Sequence, residues 1–217
     1  MVGGGSQRNV RNFPVALLVM DEVDIIAEPI RLEALARIKG RRSYKVVQSS
    51  TPLGEDTGIW TEYKAGDQRK FFLKCPHCFK WITLDWRKGP GEYNLTYPKE
   101  AKRADGTYDF QVLEAETNYA CQKCGGLISD ADKLRMMKNG KWKPTNKQAE
   151  AGVRSYHLSS LYSPTLTFAQ MLIRWFQSVD TVDGLQQFVT GWLAEPWRDE
   201  NLSVTEEATH LLAGDYE

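Results

Sequence analysis

Residues 13–24 read FPVALLVMDEVD, a continuous apolar run that stops abruptly at Asp21, Glu22 and Asp24. A run of that length without polar alternation fits a strand covered on both faces, as in a parallel sheet. Residues 29–39 (PIRLEALARIK) follow, with Ile30, Leu35 and Ile38 near helical spacing, Pro29 at the start and Gly40 just past the end. Residues 44–48 (YKVVQ) read as a second short strand, stopped by Ser49, Ser50, Thr51 and Pro52. Strand, helix, strand is a βαβ unit, and the carboxyl ends of its two parallel strands lie side by side. Open α/β sheets bind their ligands at that edge.

The segment LLVM-DE has the form of a Walker B strand. Such a strand holds its first acid rigidly, so Asp21 could take Mg²⁺ through an oxygen, and Glu22 could align a water for in-line attack on a γ-phosphate. Strands often end in acidic turns, and the motif alone leaves that plainer reading open. The second strand end narrows the choice. Ser50, Thr51 and Pro52 would fall beside the carboxylates, where small hydroxyls can sense a phosphate by hydrogen bonding and Pro52 turns the chain outward; an ordinary Ser/Thr/Pro turn is the competing reading. The glycines of residues 3–6 are no phosphate loop, because the Lys-Ser/Thr pair and the preceding strand are missing.

Cys75-x2-Cys78 and Cys121-x2-Cys124 are the four cysteines of the chain. Thiolates at that spacing bend the backbone so that both sulfurs face one Zn²⁺, and four of them close a tetrahedral structural site with no open position for catalysis. Free thiols or redox pairs are the alternatives. His77, inside the first knuckle, reads as a solvated loop residue or a donor to a thiolate. His157 and His210 have no partner legible in the sequence. Trp81 and Trp86 read as the small core of the ribbon, with a base-stacking surface as the alternative.

The rest is coarser. Residues 57–65 suggest a short helix, 69–74 (RKFFLK) a strand, and 81–86 (WITLDW) its alternating return strand. Residues 88–109, rich in Gly, Pro and charge, are expected to loop out. Residues 129–139 suit a helix with a capping box, Ser129-x-x-Asp132, ending at Gly140. Residues 153–159 (VRSYHLS) read as a strand. Residues 165–179 suit a helix with Phe168, Leu172, Trp175 and Val179 on one face, and 185–193 a further helix ended by Pro196. Residues 1–12 are a polar, glycine-rich start and 199–217 an acidic linker.

Lys plus Arg and Asp plus Glu number 28 each, giving a net charge of zero. A stand-alone, sequence-independent DNA-coating protein would carry a basic excess, so that class is disfavoured, although residues 37–45 (RIKGRRSYK) are locally basic. No apolar run has the length of a membrane span and no secretory signal opens the chain, so no membrane partner is expected.

The segments LLVMDEVD, SSTP and CPHC, with VRSYHLSSLYSPTLTF and FVTGWLAEPW further on, together resemble the large terminase subunit of lambda-type phages, over most of residues 14–197. The resemblance implies an α/β fold: part of a P-loop-type ATPase core with a parallel sheet, an inserted zinc-ribbon β subdomain and C-terminal helices. It implies that Asp21 binds Mg²⁺-ATP, that Glu22 is catalytic, and that Ser50, Thr51 and Pro52 couple hydrolysis to DNA movement. Cys75, Cys78, Cys121 and Cys124 would hold structural Zn²⁺. The implied activity is ATP-driven packaging of double-stranded DNA with linked cleavage, in the host cytoplasm, with a small terminase subunit and a portal protein as partners. The implied segments are 1–68 for the C-terminal part of the ATPase core, 69–128 for the ribbon, 129–198 for the remainder of the motor domain, and 199–217 for a linker towards the nuclease. The family's Walker A loop is expected before Pro14 and its nuclease carboxylates beyond Glu217, and neither is read in this sequence. A zinc-ribbon module binding nucleic acid or protein, without catalysis of its own, is the alternative, and a non-functional remnant a third.

Overall fold

Leu17–Asp21 (β1) and Lys45–Ser49 (β2) pair in parallel, with Leu17 opposite Lys45 and Asp21 opposite Ser49. They lie in the first of two units, Met1–Glu62 and Tyr63–Glu217. The computed structural model describes residues 14–56, 58–89 and 92–198; Phe13, the glycine-rich start, His210 and the acidic tail lie outside them. Glu28–Ala36 (α1) links the two strands, with Pro29 in its first turn, where a missing N–H costs no helical bond. Gly40 then takes a φ of +83° to turn the chain back. The βαβ unit is therefore present.

Burial in this unit departs from expectation. Met20, Val23 and Ala34 form a small core with Leu18, Leu35 and Val46 packed against it. The opposite face of β1 is open, with Leu17 57% and Val19 61% exposed and Val47 beside them at 40%. A strand of continuous apolar character is covered on both faces only when a second layer and further strands flank it. Among the described residues this sheet has two strands.

Gly58–Ala65 (α2) spans the end of the first unit and the start of the second. In the second unit Lys70–Lys74 (β3) lies between Trp81–Ile82 (β4) and Lys141–Lys143 (β10), both antiparallel to it. Arg87–Gly89 (β5) pairs with Glu92–Tyr93 (β6), and Leu95–Thr96 (β7), Asn118–Ala120 (β8) and Leu127–Ile128 (β9) form another three-stranded sheet. Phe110–Glu116 (α3), Asp130–Met137 (α4), Phe168–Ser178 (α5) and Val182–Gln187 (α6) complete the unit. A π-helical turn, Phe188–Trp192, continues α6.

The described residues of 88–109 do not loop out. They contribute β6 and β7, and Leu95 and Ala101 are buried in the main core. Buried Asn94 fixes the entry, its amide donating to the carbonyls of Asp85 (2.8 Å) and Arg87 (3.2 Å). The return strand after the first knuckle is two residues long. Beyond it the backbone is held by side chains, with Leu84 N–H donating to the Tyr162 hydroxyl (2.7 Å) and Asp85 N–H to that of Tyr119 (2.9 Å). Those tyrosines replace the ladder partners that a longer strand would need. Residues 153–159 form a single bridge, Arg69 with Tyr156, instead of a strand. The capping box at Ser129 and Asp132 is present, and Thr167 with Gln170 forms a second one at the start of α5.

Phe168, Leu172, Trp175 and Val179 are all buried, as their spacing predicts. Trp175 and Phe188 meet Trp86 with ring centroids 5.6 and 5.0 Å away, so the helices close over the segment that follows the first knuckle. The cysteine segment and the helical segment, separated in the sequence reading at residue 128, thus share one core.

Candidate functional site

Parallel pairing of β1 with β2 sets Asp21 directly opposite Ser49. The Ser49 hydroxyl donates to Asp21 Oδ1 at 2.6 Å, and the N–H of Glu22 donates to the same oxygen at 3.1 Å. Asp21 Oδ2 has no protein partner among the described residues, so one carboxylate oxygen is available to a hard cation. Ser50 donates to Glu22 Oε2 at 3.4 Å, and both carboxylates are exposed. Glu22 has a φ of +53°, a left-handed conformation that costs a residue with a side chain about 1–3 kcal/mol. Ordinary strand ends do not need such a turn; here it swings Glu22 off the strand line while Asp21 stays in register.

Thr51 accepts a hydrogen bond from Ser50 at its carbonyl (3.1 Å), and Pro52 is buried. Two residues that the sequence places at the strand ends without a role complete the cluster. Ser49 holds Asp21. Asp24 ties the following loop, accepting from the N–H groups of Leu53 (3.0 Å) and Ile59 (2.6 Å) while its own N–H donates to Ser50 Oγ (3.2 Å). Only glycine fits at 58, where φ is +30° and a Cβ would fall 1.9 Å from Asp24 Oδ1. The signal in the sequence was the third carboxylate of DEVD, spaced for a turn rather than for the strand edge.

The four cysteines are together in the second unit, with all four sulfurs within 4.8 Å of one another. Cys75 Sγ lies 4.0 Å from Cys124 Sγ, and Cys78 Sγ 4.0 Å from Cys121 Sγ. A disulfide needs about 2.05 Å, whereas a tetrahedron of Zn–S bonds near 2.3 Å has sulfur–sulfur edges of about 3.8 Å. The donor set and its dimensions fit a structural zinc ion. Each knuckle repeats the same bonds. Cys75 N–H donates to the Lys80 carbonyl and Cys121 N–H to that of Gly126, both at 3.0 Å. The N–H groups of His77 and Lys123 donate to Cys75 Sγ and Cys121 Sγ, both at 3.4 Å. Phe79 and Gly125, each just after a knuckle's second cysteine, both take positive φ, at +58° and +72°.

His77 is not bonded to a thiolate through its ring. Its Nε2 meets the Leu127 carbonyl at 2.6 Å and so links one knuckle to the other, and a Cβ on Gly126 would lie 2.6 Å from the ring. His157 Nε2 lies 3.1 and 3.0 Å from the carbonyls of Leu193 and Ala194, and burial holds its pKa below the usual histidine value. Trp86 is core, as read, but Trp81 is half-exposed and covered by lysines. A small cleft of about 20 Å³, room for roughly one water, is lined by residues that include Lys70, Asp85, His157, Tyr162 and Glu195. The buried Ser159 hydroxyl on its wall has no protein partner among the described residues. No helix among the described residues is long and apolar enough to cross a membrane.

Comparison with known proteins adds to this geometry. Residues 1–142 match the family described as phage terminase large subunit gpA, ATPase domain, and residues 153–217 match the terminase large subunit gpA endonuclease domain. The large terminase subunit of Enterobacteria phage P21 is 22% identical over 241 aligned positions, covering 99% of this chain and 35% of that relative, so the chain spans about a third of the relative's length. No solved structure matches. The first match alone takes in both strand ends and all four cysteines, and with the second it leaves little of the sequence outside: the chain belongs to the phage terminase large subunit gpA family.

Proposed function

We propose that this chain is part of a viral DNA-packaging motor, in which ATP hydrolysis drives double-stranded DNA into a procapsid and the full-length protein also cleaves the DNA. The observation that carries this reading is the edge where Asp21 and Glu22 meet Ser49 and Ser50 across two parallel strands. In it Asp21 is the Mg²⁺ ligand, with Ser49 fixing the rotamer that leaves Oδ2 available. Glu22 orients the attacking water, and its left-handed backbone sets the carboxylate apart from the metal ligand. Ser50, Thr51 and Pro52 form the coupling segment, because Ser50 touches Glu22 and is bonded to the turn that begins the outgoing chain. Mg²⁺-ATP, when bound, supplies the phosphoryl group and the charge neutralisation for its transfer. Cys75, Cys78, Cys121 and Cys124 hold a structural zinc. The partners are double-stranded DNA, the small terminase subunit and the portal protein, and the place of action is the host cytoplasm.

Glu22→Gln in the full-length motor is the test. Removing the charge while keeping the shape should stop hydrolysis, with a fall in kcat of at least about 100-fold, and leave nucleotide binding intact. Normal turnover in that variant would remove Glu22 from the catalytic role.

A further inference from the structure

The outer face of the β10–β3–β4 sheet is built of lysines and aromatic rings. Directly paired residues of antiparallel strands share a face, and the pairs are Lys141 with Phe72, Lys143 with Lys70 and Lys74 with Trp81. The alternate residues Leu73 and Ile82 point into the core at 0% and 3% exposure. Six side chains therefore share the other face, four of them lysines, and no carboxylate is among them. Lys143 Nζ sits 4.0 Å from the Trp81 ring centroid and 5.1 Å from that of Phe72, and Lys141 Nζ lies 5.6 Å from Trp81. Lys74 Nζ lies 5.7 Å from the ring of Phe79 in the adjoining knuckle turn. Among the described residues Lys74, Lys141 and Lys143 pair with no carboxylate, and Lys70 reaches Asp85 only at 3.9 Å.

Unpaired lysines on a sheet normally extend into water and stay disordered in rotamer. Here the ring faces attract the ammonium groups and hold them over the sheet, which lowers the entropy lost when an anion arrives. Successive same-face residues on a strand stand about 6.8 Å apart, comparable to the separation of neighbouring phosphates along one nucleic-acid strand. In a chain of zero net charge, this face is a local concentration of positive charge that a polyanion would complement. Trp81 and Phe72 lie under ammonium groups, and of the three rings only Phe79 is exposed, so the face offers no row of free platforms on which successive single-stranded bases stack.

We propose that this lysine–aromatic face is a sequence-independent contact for the phosphate backbone of duplex DNA. The choice of duplex rests in part on the packaging reading above; the surface rests on its own charge and ring geometry. Lysines bound to phosphates release counterions, so binding weakens with salt in proportion to their number. Four such contacts predict a loss of about 150-fold between about 50 and 200 mM salt, and two predict about tenfold.

The test is fluorescence anisotropy of a labelled duplex of roughly 30 base pairs with the 217-residue chain, its Lys141→Gln/Lys143→Gln variant and its Lys141→Arg/Lys143→Arg variant. The expected result is a log–log salt slope that falls by about 2 in the Gln variant and is kept in the Arg variant. An unchanged slope in the Gln variant, or no duplex binding by the parent chain at low salt, would overturn the proposal. Tighter binding of a single strand than of the duplex would overturn it too. Loss of ATPase activity in Glu22→Gln tests the motor reading separately, because Glu22 is no part of this face.

Discussion

Tyr162→Phe removes one oxygen atom and no packing volume, yet it should weaken the second unit more than its size suggests. The Tyr162 hydroxyl donates to the Phe71 carbonyl at 2.9 Å and accepts from the N–H of Leu84 at 2.7 Å. Tyr162 and Leu84 are 6% and 3% exposed, and burial holds the phenol above its usual pKa, so the hydroxyl stays protonated and can act both ways. Phenylalanine takes this partner from the buried Leu84 N–H and from the half-buried Phe71 carbonyl, at about 1–1.5 kcal/mol each, for a total of about 2–3 kcal/mol. For a domain of this size that lowers Tm by roughly 5–10 °C. Urea unfolding followed by the fluorescence of buried Trp86 and Trp175 would measure it, with the midpoint shifted and the slope unchanged. Tyr156→Phe, on an exposed ring, is the control and should stay within about 0.5 kcal/mol. A Tyr162→Phe cost as small as the control's would refute the reasoning, and would mean that water in the adjoining cleft takes over both bonds.

Cys121→Ser should reduce zinc from about one ion per chain to almost none by metal analysis and cost more than about 3 kcal/mol; full metal content in that variant would exclude the four-sulfur site. His157 is held neutral by burial, so the unfolded chain binds its proton more readily. Its contribution to stability is complete above its ordinary pKa near 6.5 and is lost as pH falls through the lower folded value. Urea midpoints should therefore drop from pH 7 to pH 5 in the parent chain and drop less in His157→Gln; parallel curves would exclude the histidine as the cause. The open apolar face of the first unit should draw two copies of the chain together, and Val19→Lys, which places a charge on that face, should lower this self-association in sedimentation velocity. Unchanged association would move the contact elsewhere.

The βαβ unit was legible because its signals are local: an apolar run ending in DEVD, Pro29 before a periodic stretch, and a hydroxyl-rich stop. The cysteine cluster was legible for the same reason, as x2 spacing dictates the knuckle whatever surrounds it. What escaped were features decided by distant residues. The segment after Ile82 reads as a strand because Leu84 and Trp86 alternate with polar residues, but its backbone is taken by tyrosines 34 and 78 positions away. Residues 88–109 look like a solvated loop by composition, yet buried Asn94, Leu95 and Ala101 anchor them, and Tyr93, Tyr97 and Tyr108 pack against the same core. Lys141–Lys143 carries one apolar residue in three and gains its place as a strand from Phe71 and Phe72. Around Asp21 the sequence showed which residues meet, but not the left-handed turn at Glu22, which no propensity favours in glutamate.

The core of the second unit joins Leu73 and Tyr119, from the ATPase family match, to Tyr162, Phe168 and Trp175, from the endonuclease match. The two matched segments therefore pack as one core. A chimera joined between residues 142 and 153 would ask side chains from two parents to fit a cavity that each shaped separately, while a junction near residue 63 leaves that fit intact. Exchange of motor and nuclease parts among relatives should succeed or fail according to where this seam is crossed.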